Sequence, residues 1–179
     1  MYKKPILNIN ALMQIAYVVN DLDKTMERMW ETFGIGPWKV NLRGCDATDD
    51  PSKITEVFYK HKPSRFSYKN ASAIVGPNQL NFEIVQPISG ESVYADILMQ
   101  HGEGMHHLGW HLAQSQDEFD AVTKTLEQNG FPCLQSFKLH WVSVAYFDTT
   151  DVLNTILEMS FRHPGMTKSD PLYVYPKPG

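Results

Sequence analysis

The apolar, largely β-branched and aromatic run that follows Gln14, Ile15-Ala16-Tyr17-Val18-Val19, predicts a strand, and Asn20-Asp21 behind it supplies a helix N-cap. Leu22, Met26, Met29, Trp30 and Phe33 then recur at helical spacing to make one apolar stripe, and Gly34 offers a left-handed stop. The same grammar returns later. His107-Leu108-Gly109-Trp110-His111-Leu112 predicts another strand, Ser115 with Glu118 a capping box, Phe119, Val122 and Leu126 a buried stripe, and Gly130 its end.

Strand-like material follows each helix, closing with Leu80-Asn81-Phe82-Glu83-Ile84-Val85 in the first copy and Thr155-Ile156-Leu157-Glu158-Met159 in the second. Each copy reads β-α-β-β-β. The expected fold is therefore α+β: two βαβββ modules forming a concave, barrel-like mixed sheet with helices on the outside. The spans predicted are a first module over 1–90, a linker helix over 91–104, a second module over 105–161 and a C-terminal extension over 162–179. Within the linker, Ser92 to His101 is the helical part and Gly102 and Gly104 end it. The polar stretch Cys45 to Pro63 reads as an inserted loop, which is cheap because loop-closure cost grows only logarithmically with length. Leu172, Tyr173, Val174 and Tyr175 are too apolar for a purely solvated tail and predict an ordered extension or an interface arm.

Strand parity then singles out polar residues. Ile15, Tyr17 and Val19 share one face of their strand, leaving Gln14 opposite; Leu108, Trp110 and Leu112 likewise leave His107, Gly109 and His111 opposite. Phe82 and Ile84 face helices and Glu83 does not; Leu157 and Met159 do and Glu158 does not. A carboxylate inside so apolar a run is costly to desolvate unless it is paired or bound to a cation. Curled into one concavity, Gln14, Glu83, His107 and Glu158 offer an N/O shell without thiolate, suited to one divalent ion: Zn, Co, Ni, Mn or Mg. His106 is expected on the opposite face from His107, in a structural role, and His111 on the inner face.

Composition narrows the partners. The 179 residues are 42% apolar, enough for a folded core, and carry a formal charge of −4. Scattered Lys and Arg leave no basic footprint for nucleic acid, so a small molecule is the expected partner. No apolar run approaches a membrane span, and Met1-Tyr2-Lys3-Lys4-Pro5 leads toward a strand-like segment rather than a signal-peptide core, so a cytoplasmic protein is expected. Cys45 and Cys133 stand far apart and predict reduced thiols.

Four blocks together carry a family resemblance: Gln14-Ile15-Ala16 before Val18-Val19-Asn20-Asp21-Leu22-Asp23-Lys24, Glu83-Ile84-Val85-Gln86-Pro87, Gly102-Glu103-Gly104-Met105-His106-His107-Leu108-Gly109, and Leu157-Glu158. The chain resembles the vicinal-oxygen-chelate (glyoxalase/bleomycin-resistance/dioxygenase) superfamily, and within it the methylmalonyl-CoA epimerase and glyoxalase I branch. The resemblance implies paired βαβββ modules, one divalent metal with ligands at Gln14, Glu83, His107 and Glu158, and commonly a homodimer. Epimerases of this branch usually open the first strand with His, whereas Gln14 is closer to the glyoxalase I arrangement; the epimerases' extra first-module glutamate has no counterpart, Ser64 or Arg65 falling near its place.

The activity this implies is a metal-dependent epimerase or racemase that moves a proton on the carbon next to a carbonyl, through an enolate, on an acyl-CoA or aromatic ketone-type carbon acid. Glu158 is the expected base, with Glu83 and His111 as further catalytic candidates. A glyoxalase I-type lactoylglutathione lyase is the alternative, although the sequence shows no clear cationic cluster for glutathione's carboxylates. Ring-cleaving oxygenation is disfavoured because Gln14 stands where a second His would be needed, and a non-catalytic binder because all four ligands are present.

Overall fold

The computed structural model describes residues 4–9, 11–48 and 52–177. Met1 to Lys3, on which the reading of the start partly rests, lie outside them. The first module consists of β1 (Gln14–Val18), α1 (Leu22–Phe33), β2 (Trp38–Gly44), a hairpin of β3 (Thr55–Tyr59) and β4 (Lys62–Pro63), then β5 (Phe66–Val75) and β6 (Leu80–Gly90). The linker helix α2 (Val93–His101) leads to β7 (Gly104–Trp110), α3 (Gln116–Gln128), β8 (Cys133–Leu139), β9 (Val142–Asp148), the short α4 (Thr150–Leu153), β10 (Ile156–Arg162) and β11 (Tyr173–Tyr175).

Local chemistry sets the helix ends. The Asp21 side chain accepts the Lys24 N–H at 3.0 Å and Gly34 closes α1 in the left-handed conformation at φ 67°. Ser115 accepts the Glu118 N–H at 3.1 Å, and the Glu118 carboxylate accepts the Gln114 N–H at 2.7 Å, a reciprocal cap one residue wider than the expected box.

Among the described residues one sheet runs β11-β2-β5-β6-β1-β7-β10-β9-β8-β3-β4. β1 lies parallel to β6 and antiparallel to β7, and β7 lies parallel to β10. The β1/β7 seam therefore joins the modules and sets β6, β1, β7 and β10 side by side, the four strands that carry Glu83, Gln14, His107 and Glu158. On the convex face α1 buries Leu22 and Met26 with Val40, Ala71 and Ile84, while α3 buries Phe119 and Leu126 with Leu157 and Met159. The parity read from the sequence holds at Val19, Phe82, Ile84, Leu108, Trp110, Leu112, Leu157 and Met159, which pack in these two helix-facing cores. α2 packs elsewhere: its Val93 and Tyr94 join Val18, Tyr68, Val85, Phe137 and Tyr146 in a core within the concavity.

The stretch expected as an inserted loop is not wholly loop. Ile54 and Val57 within it are anchored in the inner core, and β3 pairs with β8 at the far edge of the second module, with Thr55 opposite Lys138. Residues 49–51 of the stretch lie outside the described part. Gly104, expected to end the linker, opens β7 instead, and that strand stops at Trp110, so His111 and Leu112 follow it. The extension is ordered as its apolar content predicts: β11 adds to the β2 edge, Tyr173 opposite Val40. No described helix is long and apolar enough to cross a membrane.

Candidate metal centre

Cross-strand register delivers the predicted ligands to one point. Gln14 lies opposite Gly109, Gly109 beside Glu158, and Ala16 between Glu83 and His107. His107 Nε2 is 3.1 Å from Glu158 Oε2 and 3.7 Å from Glu83 Oε2, and ligand atoms of the three lie within 4.8 Å of one another. The Gln14 amide nitrogen donates to Glu83 Oε2 at 2.8 Å and stands 2.9 Å from His107 Nε2. Metal–ligand bonds of about 2.1 Å at tetrahedral or octahedral angles space neighbouring ligand atoms about 3.0–3.5 Å apart, so these donors fit a single divalent cation. Gln14 fits less directly. Its carbonyl oxygen accepts from Asn81 Nδ2 at 2.6 Å, and ligation through that oxygen requires the amide to turn over.

Supporting groups fix each ligand. Asn70 Nδ2 donates to Glu83 Oε1 at 2.7 Å, and Tyr146 donates its hydroxyl hydrogen to Glu158 Oε2 at 2.7 Å while standing 2.6 Å from the Tyr94 hydroxyl. The two carboxylates are driven apart. Burial pushes Glu83 up, and the neighbouring Glu158 charge adds to this against the pull of His107 and Asn70. Burial acts upward on Glu158 as well, but the charge and hydrogen bond of His107, the Tyr146 hydroxyl and the nearby His111 hold it below its ordinary value.

His106 departs from its expected place. Strict alternation points it away from His107, yet the β1/β7 register skips it: Ala16 pairs with His107 and Tyr17 with Met105. This bulge turns His106 inward, 1% exposed, with its Nδ1 2.8 Å from His107 Nδ1 and its ring against Tyr94. Burial and the neighbouring His107 hold His106 well below the usual histidine range, so it is neutral and offers one lone pair. With that lone pair on Nδ1, it accepts His107 Nδ1–H and leaves His107 Nε2 for a cation, the arrangement metal-binding histidines use.

A cavity of about 400 Å³ opens over the cluster. Gln14, Glu83, Glu158 and the expected His111 line it, His111 from an exposed position with Nδ1 3.1 Å from Ser160 Oγ. Tyr68, Trp110 and Tyr146 supply aromatic wall. So do four cations that sequence reading did not group: Lys39, Arg43, Arg162 and Lys168. Gly109 was read only as a parity position. A Cβ built on it lies 2.9 Å from Gln14 Cβ and 3.5 Å from Glu158 Oε1, so the absence of a side chain is what lets those two approach across β7. Gly109→Val is expected to cost about 1–3 kcal/mol by overpacking and to abolish the thermal shift that added metal gives the parent protein. Calorimetric melting with and without metal checks this, and an unchanged shift would show that Gly109 is not needed there.

The fold has many solved relatives in shape. Methylmalonyl-CoA epimerase from Mycobacterium tuberculosis superposes with a TM-score of 0.57 at 16% identity, covering 91% of this chain and 95% of its own. A hypothetical protein from Bacillus halodurans C-125 gives 0.59 at 15% identity, covering 88% and 97%. A methylmalonyl-CoA epimerase in complex with methylmalonyl-CoA and NH4+ gives 0.52 at 14% identity, covering 92% and 100%. Identities this low speak to fold alone. No curated protein matches by sequence. The family model for the glyoxalase/bleomycin resistance protein/dioxygenase superfamily matches residues 13–146, which span β1 to β9 and hold the Gln14, Glu83 and His107 positions. The chain belongs to the glyoxalase/bleomycin resistance protein/dioxygenase superfamily.

Proposed function

We propose that the protein is a metal-dependent epimerase or racemase that moves a proton on the carbon next to a carbonyl, through an enolate. The observation that carries this reading is the convergence of Glu83, His107 and Glu158, with Gln14, on one point of a walled cavity. A divalent cation there supplies Lewis acidity, stabilising the negative charge that develops on the substrate's carbonyl oxygen. Glu158, held below its ordinary value, is ionised and takes the proton; the space left by Gly109 lies beside its Oε1. Glu83 is the second candidate for proton transfer, and His111 lines the rim as a further one. Tyr146 keeps Glu158 in place throughout.

Ring cleavage by iron is not supported by these donors, because His106 bonds His107 rather than joining a two-histidine set. Gln14 favours one further reading, the glyoxalase I-type isomerisation, in which the proton returns to the neighbouring carbon. Incubating metal-loaded protein with a panel of thioesters, 2-substituted ketones and hemithioacetals in deuterated water tests both. α-Deuteration with inversion supports the epimerase, conversion to a hydroxyacid thioester supports the lyase, and no exchange in any compound sinks the proposal.

Metal uptake is measurable without a substrate. Free metal at 1,000 times its Kd is expected to stabilise the fold by about 4 kcal/mol, a rise in Tm of about 8–16 °C for a domain of this size. A proton competes with the cation at Glu83, whose pKa burial raises, so the rise shrinks as pH falls toward that group's range. A melting curve indifferent to Zn, Co, Ni, Mn and Mg would remove the metal from the reading.

A further inference from the structure

The two walls of the cavity differ in chemistry. On the first-module side, Ser72 pairs with Glu83 on one edge and with Lys39 on the other, and Asn70 follows Ser72 on the same face of β5. Asn70 is 6% exposed, and with its amide nitrogen donated to Glu83 its Oδ1 is buried without a donor among the described residues. That wall is polar.

On the second-module side, register carries the surface away from Glu158 in rows. Glu158 pairs with Tyr146; two residues on, Ser160 pairs with Val144 and Val144 with Phe137; two further on, Arg162 pairs with Val142 and Val142 with Leu139. Trp141 stands in the turn between β8 and β9, at the end of these rows. Phe137, Leu139, Trp141, Val142 and Val144 all line the cavity. Polar character therefore ends at β10, and the two outer rows of β9 and β8 place no hydrogen-bonding side chain on this face.

We infer that the β8/β9 wall is a subsite for an apolar substituent of the substrate, an aryl or branched alkyl group carried at or next to the reacting carbon. Successive rows lie about 7 Å apart along the strands, so the apolar side chains begin one row from Glu158. Apolar surface facing an open cavity holds water that an apolar group displaces favourably. The same group laid against Asn70 would strand a buried acceptor instead. The difference between the walls thus orients one molecule, with its carbonyl toward Glu83, His107 and Glu158 and its apolar group toward Val144 and Phe137. Trp141 is held in place beforehand: its carbonyl accepts the His163 N–H at 2.9 Å, and Lys168 Nζ lies 5.4 Å from its ring centre. A wall fixed before the ligand arrives loses little freedom on binding.

The inference rests on the proposed function in placing the reacting end at Glu83, His107 and Glu158, and it is tested on metal-free protein, where no reaction is required. Phenylacetone is titrated against isotope-labelled valine and leucine methyl groups observed by NMR, with acetone as the same carbonyl without the ring. Saturable shifts at Val142, Val144 and Leu139 are expected, with affinity tenfold or more above that for acetone. Val144→Thr keeps the shape but adds a hydroxyl to the wall, and should weaken phenylacetone about tenfold; Met99→Ala, on the exposed side of α2, should leave it unchanged. Trp141 is only half-buried, so Trp141→Ala, with the same expected loss, decides the matter if the Val144 variant does not fold. Cyclohexylacetone separates the two sources of apolar surface: weaker binding than phenylacetone identifies an aryl group, equal or tighter binding an alkyl one. No preference for phenylacetone over acetone, shifts confined to methyl groups outside the wall, or parental affinity in the deciding variant overturns the subsite. Manganese titration by calorimetry separates the two proposals. Phenylacetone binding without metal uptake leaves the subsite standing and removes the metal reading, and metal uptake without a preference for phenylacetone does the reverse.

Discussion

Glu158→Gln is expected to slow α-proton exchange by about 10²–10⁴-fold at saturating metal, the range lost with a positioned general base. The substitution keeps the shape and an oxygen for the Tyr146 hydroxyl, which lies 2.7 Å from Glu158 Oε2, but removes the charge and the proton-accepting lone pair. Metal affinity falls too, because a ligand charge is gone, and saturating metal separates that loss from the chemical one. Glu83→Gln is the comparison. Glu83 is the group that burial drives toward its protonated form, so its amide variant is expected to retain more exchange, while inversion of configuration suffers. Mass spectrometry of deuterium incorporation reads both. If Glu158→Gln, shown to hold metal, exchanges at the parental rate, Glu158 is not the base.

That Gln14, Glu83, His107 and Glu158 share the concave side was readable from the sequence because strand parity is a local rule. Phe82, Ile84, Leu157 and Met159 announced the buried helix-facing sides, and the carboxylates between them had to face the other way. Parity failed where the backbone left the regular pleat. The extra residue at His106 is a property of the β1/β7 pair, and a bulge of this kind leaves no mark in the sequence of β7 alone. Gly109 carried a signal that could have been used, since a glycine inside a strand beside His107 suggests a close approach of other side chains.

Long-range arrangements were the least visible. Tyr146 reaches Glu158 because β9 and β10 pair in that register, and nothing near Tyr146 in the chain says so. The stretch Cys45 to Pro63 looked like loop because its apolar positions are few, and Ile54 and Val57 among them are anchored in a core that both modules supply. The cations are the sharpest case. Counted along the chain they are scattered, yet β2, β10 and the C-terminal extension place four of them around one small volume. A net charge of −4 conceals this because it averages over the whole surface.

His107→Ala is expected to abolish the thermal response to metal and to lower the stability of the metal-free protein by about 2–5 kcal/mol, through a cavity and the loss of a partner to buried carboxylates. For a domain of this size that is about 5–20 °C in Tm. The deficit depends on pH with a definite sign. In the parent, His107 helps hold Glu158 below its ordinary value, so Glu158 contributes stability that is present above the unfolded-state value and lost as pH falls. Without His107, burial is opposed chiefly by the Tyr146 hydroxyl and His111, and it raises Glu158 instead. A group with a raised folded-state value contributes stability in acid and loses it as pH rises through that value. Both changes widen the gap between variant and parent as pH rises through the carboxylate range. Melting curves of the two metal-free proteins across that range measure it: a gap that stays constant or narrows would mean that His107 and Glu158 are not coupled, and with that the shared centre on which the proposed function stands would lose its main support.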